Sequence, residues 1–272
     1  MIARIPYWHV DAFAARPFGG NQAAVMLLDT WPDDAVLQAI GAENLFAETA
    51  FLVPIGGGNG DAGSGGADWE LRWFTPAVEV ALCGHATLAS GHVLLGLYRQ
   101  RGAVRLRTRK AGILEVRRLG EGYELALPAI TTVPSSWPEA VAALGRAPRE
   151  VWRSPDRYTL LLYDDEQAVR DLRPDLRALA MLGNEQFIAT APGRETDIVS
   201  RVFVPGGGVD EDSVTGSAHA VLTPFWTSRL GRASFTAFQA SARGGRLSCR
   251  ADGSRVWLGG DCVTVVEGTF LL

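Results

Sequence analysis

Two short segments carry side chains that could grip an anion and move a proton. Cys83-Gly84-His85 opens the run Gly84–Leu97, which contains no Lys, Arg, Asp or Glu, and Asp210-Glu-Asp-Ser-Val-Thr-Gly-Ser217 opens a second small-residue run. Each puts a Gly, followed by a small or polar residue, where a helix would begin. A helix start leaves backbone N–H groups unpaired at the positive end of the helix dipole, an arrangement that suits a carboxylate. Gly84 and Gly216 would let the backbone approach such a ligand closely. Two of these ends facing each other across a pseudo-two-fold cleft would hold a carboxylate between them. The plain alternative is a pair of ordinary helix-start glycines.

The two segments belong to a longer internal match. Phe74/Phe203 and Pro76/Pro205 are offset by 129 residues and Gly84/Gly216 by 132. An offset near half the chain length suggests two copies of one domain, not a solenoid of short repeats. In this register Cys83 faces Thr215 and His85 faces Ser217, with Asp212 just upstream. An epimerase with two opposed thiols would need a cysteine at both turns, and the second turn has Thr215. A further carboxyl, Glu48, lies in the apolar surroundings Leu45-Phe-Ala-Glu-Thr-Ala-Phe51. Partial desolvation there would favour a group able both to take and to give a proton. Asp212 across the cleft would push the two carboxyl pKa values apart.

The elements that must hold these residues are mostly strands. Short β-branched or aromatic runs bounded by Gly, Pro or Asp occur at Ile5–Phe13, Ala23–Leu28, Thr49–Pro54, Trp69–Thr75, Val104–Thr108, Ile113–Arg118 and Tyr123–Leu127. Helical spacing marks Asp33–Asn44. Gly84–Leu97 is apolar all round, so it reads as a buried helix enclosed by strands. The glycine-rich stretch 55–67 reads as a hairpin tip. The proline-rich passage Pro128–Pro155, around a short helix Pro138–Leu144, is the candidate link between domains. The division is therefore 1–127 and 128–272, and the last residues of the chain could pack back on the first domain.

Composition narrows the function. At roughly 150 residues per domain, 272 residues make about two domains. A net charge of −4, one lysine (Lys110) and scattered arginines argue against a nucleic-acid surface. The densest basic run, Arg99 to Lys110, alternates with apolar residues as a solvated strand face would. Three cysteines without zinc-type spacing make neither a disulfide framework nor a metal centre. No signal peptide and no apolar run of membrane-spanning length is read, so a cytoplasmic enzyme is expected. His9, His92 and His219 read as structural.

Several motifs together resemble the phenazine-biosynthesis PhzF family. They are Asp11-Ala-Phe-x4-Pro-Phe-Gly-Gly-Asn21, Glu48-Thr-Ala-Phe51, Phe74-Thr-Pro-x2-Glu-Val-x-Leu-Cys-Gly-His-Ala-Thr87 and Glu211-Asp-x-Val-Thr-Gly-Ser-Ala-His219. Gln239-x4-Gly-Gly-Arg246 and Leu258-Gly-Gly-x3-Thr-Val-Val-Glu-Gly268 complete the set. They run in order from residue 11 to 268. Gln22 and Ser213 depart from the family's usual prolines, which touches loop geometry more than chemistry.

The resemblance implies an α+β, diaminopimelate-epimerase-like fold of two pseudo-symmetric domains, each a β-barrel around a central helix. It also implies cofactor-free, metal-free isomerisation of a small cyclic or unsaturated amino or hydroxy carboxylate. In the prototype this is a proton shift on dihydro-3-hydroxyanthranilate. Glu48 matches the acid/base residue, His85 and Asp212 would orient ring substituents, and Gly84 and Gly216 form the carboxylate cradle. Ser217, Thr215 and Asn21 are further substrate-binding candidates, and a homodimer is implied. Two other readings stay open: an epimerase or racemase using Cys83 and Glu48, and a metabolite-binding protein without catalysis.

Overall fold

The computed structural model describes residues 3–56, 66–98 and 101–272. The chain divides into two compact units, one of Met1–Ala126 with Gly259–Leu272 and the other of Leu127–Leu258. Both mix α and β structure. The tip of the glycine-rich stretch, residues 57–65, lies outside the described residues.

Unit 1 begins β1 Arg4–Ala12, β2 Asn21–Leu27, α1 Asp34–Asn44, β3 Glu48–Pro54, β4 Trp69–Phe74, β5 Glu79–Val80 and α2 Gly84–Leu97. It continues through β6 Ala103–Thr108, β7 Ile113–Leu119 and β8 Gly122–Pro128. β2 and β3 run parallel with α1 as the crossover, β4 pairs antiparallel with β3 and β5, and β6 returns parallel to β4. α1 is one-sided, burying Leu37, Ile40 and Gly41 against Met26, Phe51 and Phe74. Each such large apolar side chain contributes about 1.5–3 kcal/mol on burial.

Unit 2 repeats the sequence of elements. After β9 Val133–Ser135 and α3 Pro138–Leu144 come β10 Glu150–Ser154, β11 Tyr158–Leu162, α4 Glu166–Arg170 and α5 Leu176–Met181. Then follow β12 Gln186–Pro192, β13 Ile198–Val204, β14 Val209–Asp212, α6 Gly216–Leu230, β15 Ser234–Gln239, β16 Gly245–Asp252, β17 Arg255–Gly260 and β18 Cys262–Leu271. β11 and β12 are parallel, β13 is antiparallel to β12 and β14, and β15 is parallel to β13. The pairing scheme of unit 1 is thus reproduced strand for strand, and the offset matches are its visible trace. The terminal strands are exchanged: β9 pairs with β10 inside unit 2, and β18 pairs with β1 inside unit 1. The proline-rich passage therefore carries two strands, β9 and β10, besides its expected helix α3.

The helices that begin at Gly84 and Gly216 are buried. Every residue of α2 from Gly84 to Gly91 is buried, and α2 touches β1, β2, β3, β6, β7 and β18. At Gly91 a Cβ would lie 2.3 Å from Val116 Cγ1, so glycine is what lets β7 reach the helix. α6 contains Pro224, which has no N–H to offer the carbonyl four residues back. That carbonyl, Ala220 O, accepts instead from Ile130 N–H at 3.1 Å. Among the described residues no helix is long and apolar enough to cross a membrane.

Candidate active site

In unit 1 the fold gathers Asn21, Glu48, Cys83 and His85. Because β2 and β3 are parallel, Asn21 and Glu48, their first residues, lie at the same edge. His85, second residue of α2, meets both. Its Nε2 lies 3.1 Å from Glu48 Oε2 and 3.2 Å from Gln22 O. Its Nδ1 lies 3.1 Å from the Asn21 side-chain amide and 3.6 Å from Cys83 Sγ. The amide can present its nitrogen to a neutral ring or, turned over, its oxygen to an imidazolium.

The electrostatics of this cluster set the imidazole and the thiol apart. His85 is buried, which opposes charging the ring, but a hydrogen bond to the Cys83 sulfur and the charge of the Glu48 carboxylate favour the imidazolium and raise its pKa above the ordinary imidazole value. Burial, with Glu48 adding, pushes the Cys83 thiol up to about 11. Cys83 is therefore a neutral thiol at pH 7. Glu48 keeps 18% of its side chain exposed, while its Oε2 is buried against the His85 ring.

Glu48, Cys83 and His85 also present metal-ligand atoms within 4.8 Å of one another, a grouping that sequence spacing did not reveal. Their arrangement does not suit one ion. Glu48 faces Nε2 and Cys83 faces Nδ1, and the lone pairs of the two ring nitrogens diverge. An ion takes one imidazole nitrogen, so this ring cannot share it with both partners as they stand.

In unit 2 the fold gathers Asp212, Thr215 and Gly216, and separately Ser217 with two residues that sequence reasoning missed. Asp212 ends β14, Thr215 is the N-cap of α6, and Thr215 Oγ1 donates to Asp212 Oδ2 at 2.6 Å. Threonine is a good N-cap, yet this hydroxyl is turned to the carboxylate and makes no capping bond. Ser217 Oγ is held by the Gln186 carboxamide at 3.1 Å, with Tyr158, at the start of β11, nearby. The unit assignments put Glu48, His85, Gly84 and Asn21 in unit 1, and Asp212, Thr215, Gly216 and Ser217 in unit 2.

Both turns are held by the same device, which no motif in the sequence announces. Arg72 grips Glu79 through Nε and Nη2 at 2.8 and 2.9 Å, and Arg201 grips Glu211 in the same way at 2.7 and 2.9 Å. Each guanidinium also lies over an aromatic ring, Phe74 at 5.0 Å and Phe203 at 4.9 Å. Arg72/Arg201 share the offset of 129, and Glu79/Glu211 that of 132. Both N-cap carbonyls receive a side chain one turn on: Thr87 Oγ1 donates to Cys83 O at 2.5 Å, and His219 Nδ1–H to Thr215 O at 2.8 Å. His219, fully buried, is held by burial at a pKa of about 4, a neutral structural histidine as expected.

Comparison with known proteins settles the lineage. The model of phenazine biosynthesis-like proteins, PhzC-PhzF, matches residues 10–268. The chain belongs to the PhzC-PhzF family. An uncharacterized isomerase of Pseudomonas aeruginosa is 46% identical over 270 residues, covering 99% of each chain. The crystal structure of a PhzF-family phenazine biosynthesis protein from Enterococcus faecalis superposes with a TM-score of 0.88 at 38% identity, over 99% of this chain and 100% of that one. A hydroxyproline epimerase from Agrobacterium vitis shares the fold, with a TM-score of 0.63 at 11% identity over 99% of this chain and 93% of the other. Three relatives, 40–46% identical over 97–99% of this chain, are named uncharacterized isomerases, and this chain is a PhzF-like isomerase.

Proposed function

We propose that this PhzF-like isomerase moves a proton between carbons of a small cyclic or unsaturated amino or hydroxy carboxylate, without a cofactor, and that Glu48 carries the proton. The observation that supports this most is the Glu48–His85 pair: a partly exposed carboxylate whose Oε2 lies 3.1 Å from a buried imidazole nitrogen. Glu48 takes a proton from a substrate carbon acidified by neighbouring unsaturation and returns it to another carbon. His85, whose charged form the carboxylate favours, holds Glu48 in place and supplies compensating charge while the carboxyl is ionised. Asn21 orients the ring of His85. Asp212 and Ser217 bind polar substituents, and the backbone at Gly84 and Gly216 offers N–H groups to a carboxylate. Thr215 acts on Asp212 through its hydroxyl.

The same reading takes each unit as a barrel wrapped around its buried helix, and the enzyme as a cytoplasmic homodimer. The epimerase alternative would make Cys83 the second base, and its raised pKa opposes that role.

Dihydro-3-hydroxyanthranilate is the first substrate to try, with turnover followed by the loss of its diene absorbance. Wild type and Cys83→Ala should convert it and Glu48→Gln should not. Conversion that survives Glu48→Gln would exclude the proposed role, and loss in Cys83→Ala alone would favour the epimerase.

A further inference from the structure

The motif Gln239-x4-Gly-Gly-Arg246 has no part in the chemistry above. In the structure it closes the hairpin of β15 and β16, where Gln239 pairs with Gly245. Gly244 has φ +64°, and a Cβ there would lie 2.8 Å from the Phe238 ring, so the turn requires glycine. Gly244 N–H donates to Ser241 Oγ at 3.1 Å, and Ser241 Oγ donates to Ser213 O at 2.7 Å. The hairpin therefore grips the turn that carries Asp212.

Gln239 makes most of that grip. It is fully buried, and its Nε2 donates to Asp212 O at 2.7 Å and to Thr215 Oγ1 at 3.1 Å. Its Oε1 accepts Thr215 N–H at 2.8 Å. Both amide hydrogens and one oxygen lone pair thus go to residues 212–215. A hydroxyl that accepts from Gln239 has one lone pair occupied, and its own hydrogen goes to Asp212 Oδ2. The hydroxyl can rotate only at the cost of both bonds. On its other side the turn is fixed by the Arg201–Glu211 pair, one residue before Asp212.

We infer that Gln239 is a positioning residue that fixes the direction of the Thr215 hydroxyl and, through it, the Asp212 carboxylate. The glycines that follow it keep the hairpin tight enough to reach the Asp212 turn. Gln239 and Thr215 touch no substrate themselves. The inference rests on the reading of Asp212 as a substrate-binding carboxylate.

The test separates this inference from that reading by using a ligand-free readout first. In the full chain, the Asp212 carboxyl is titrated by 13C NMR in wild type, Thr215→Ser, Thr215→Val, Gln239→Met and the Gln239→Met/Thr215→Val pair, with melting temperatures taken alongside. Thr215→Val removes the hydrogen bond to the carboxylate and should raise its midpoint, while Thr215→Ser should restore the wild-type value. Gln239→Met should raise it in the wild-type background and add nothing once Thr215 is Val. An unchanged midpoint in Thr215→Val, equal shifts in the Ser and Val variants, or a Gln239→Met shift that persists in the Val background would each overturn the inference. With dihydro-3-hydroxyanthranilate as probe, Thr215→Val should then lower kcat/KM on the order of tenfold to a hundredfold and Thr215→Ser should stay near wild type. A wild type inert on this probe, together with the expected titrations, would overturn the substrate assignment and sustain the positioning role.

Discussion

Glu48 and Gln186 occupy one position in two copies of the same fold: each opens the second strand of a parallel pair, and each side chain meets the second residue of a buried helix. The contacts have the same length, 3.1 Å from Glu48 to His85 and 3.1 Å from Gln186 to Ser217. Duplication has kept the backbone and separated the chemistry. One copy holds a carboxyl and an imidazole, and the other an amide and a hydroxyl, which hydrogen-bond but do not titrate near neutral pH.

This asymmetry bears on Cys83. Its neutral thiol lies beside His85 Nδ1, away from the nitrogen that faces Glu48. Cys83→Ala should keep isomerase activity within about threefold, measured as kcat/KM on the wild-type substrate, because a base with a pKa near 11 carries little thiolate at pH 7. A loss of a hundredfold or more would make the thiol a participant.

The duplicated clamps predict measurable but unequal stability losses. Arg72 is 4% exposed and Arg201 12%, and their glutamates are about a quarter exposed. Arg201→Met strands Glu211 and should cost about 3 kcal/mol in urea unfolding, while Arg72→Met leaves Glu79 with Arg109 at 3.0 Å and should cost less. Variants within a few tenths of a kcal/mol of wild type would remove the clamp from the account.

The unit 1 clamp also has a pH signature. Hydrogen bonding to Arg72 holds Glu79 below the ordinary carboxyl range. A depressed folded-state pKa gives stability that is complete above the unfolded value and lost as pH falls through the folded one. The stability difference between wild type and Arg72→Met should therefore be flat above about pH 5 and shrink below about pH 4. A difference that grows on acidification would contradict the assignment.

His219 predicts a second acid sensitivity, at higher pH. It stays neutral in the fold down to about pH 4, while the unfolded chain binds a proton at the ordinary histidine value. Below about pH 6.5 the native state should lose about 1.4 kcal/mol per pH unit on this account until the folded value is reached. His219→Asn, whose amide can still donate to Thr215 O, should remove that slope. Parallel pH–stability curves for the two proteins would show that His219 is not the cause.

Much of this was legible in the sequence because local patterns carried it. The charge-free run Gly84–Leu97 is α2 to the residue, and Pro138–Leu144 is α3. The seven strand readings of the first half all correspond to strands, with ends moved by one or two residues. The offset between Phe74 and Phe203 marked a true duplication. In the basic run, the alternation is that of β6, where Val104 and Leu106 are buried and Arg105 is exposed. The return of the last residues to the first domain was expected and is the pairing of β18 with β1, whereas the pairing of β9 with β10 had no local sign, since it is decided by tertiary contacts. The Arg–Glu clamps, Gln186 and the grip of Gln239 were hidden for the same reason. Arginine and glutamate seven or ten residues apart look like surface charge until a hairpin brings them together, and Gln186 gains meaning only once it is aligned with Glu48. The placing of Glu48 beside His85 was suggested by family resemblance and has its physical cause in the parallel pairing of β2 and β3.

The central claim is that Glu48 moves a carbon-bound proton. Proton NMR of dihydro-3-hydroxyanthranilate incubated in D2O with wild type and with Glu48→Gln tests it most directly. The account predicts deuterium on a ring carbon of the isomerised product with wild type, and a rate lower by about a hundredfold or more with Glu48→Gln. Equal deuterium incorporation by the two proteins would contradict it.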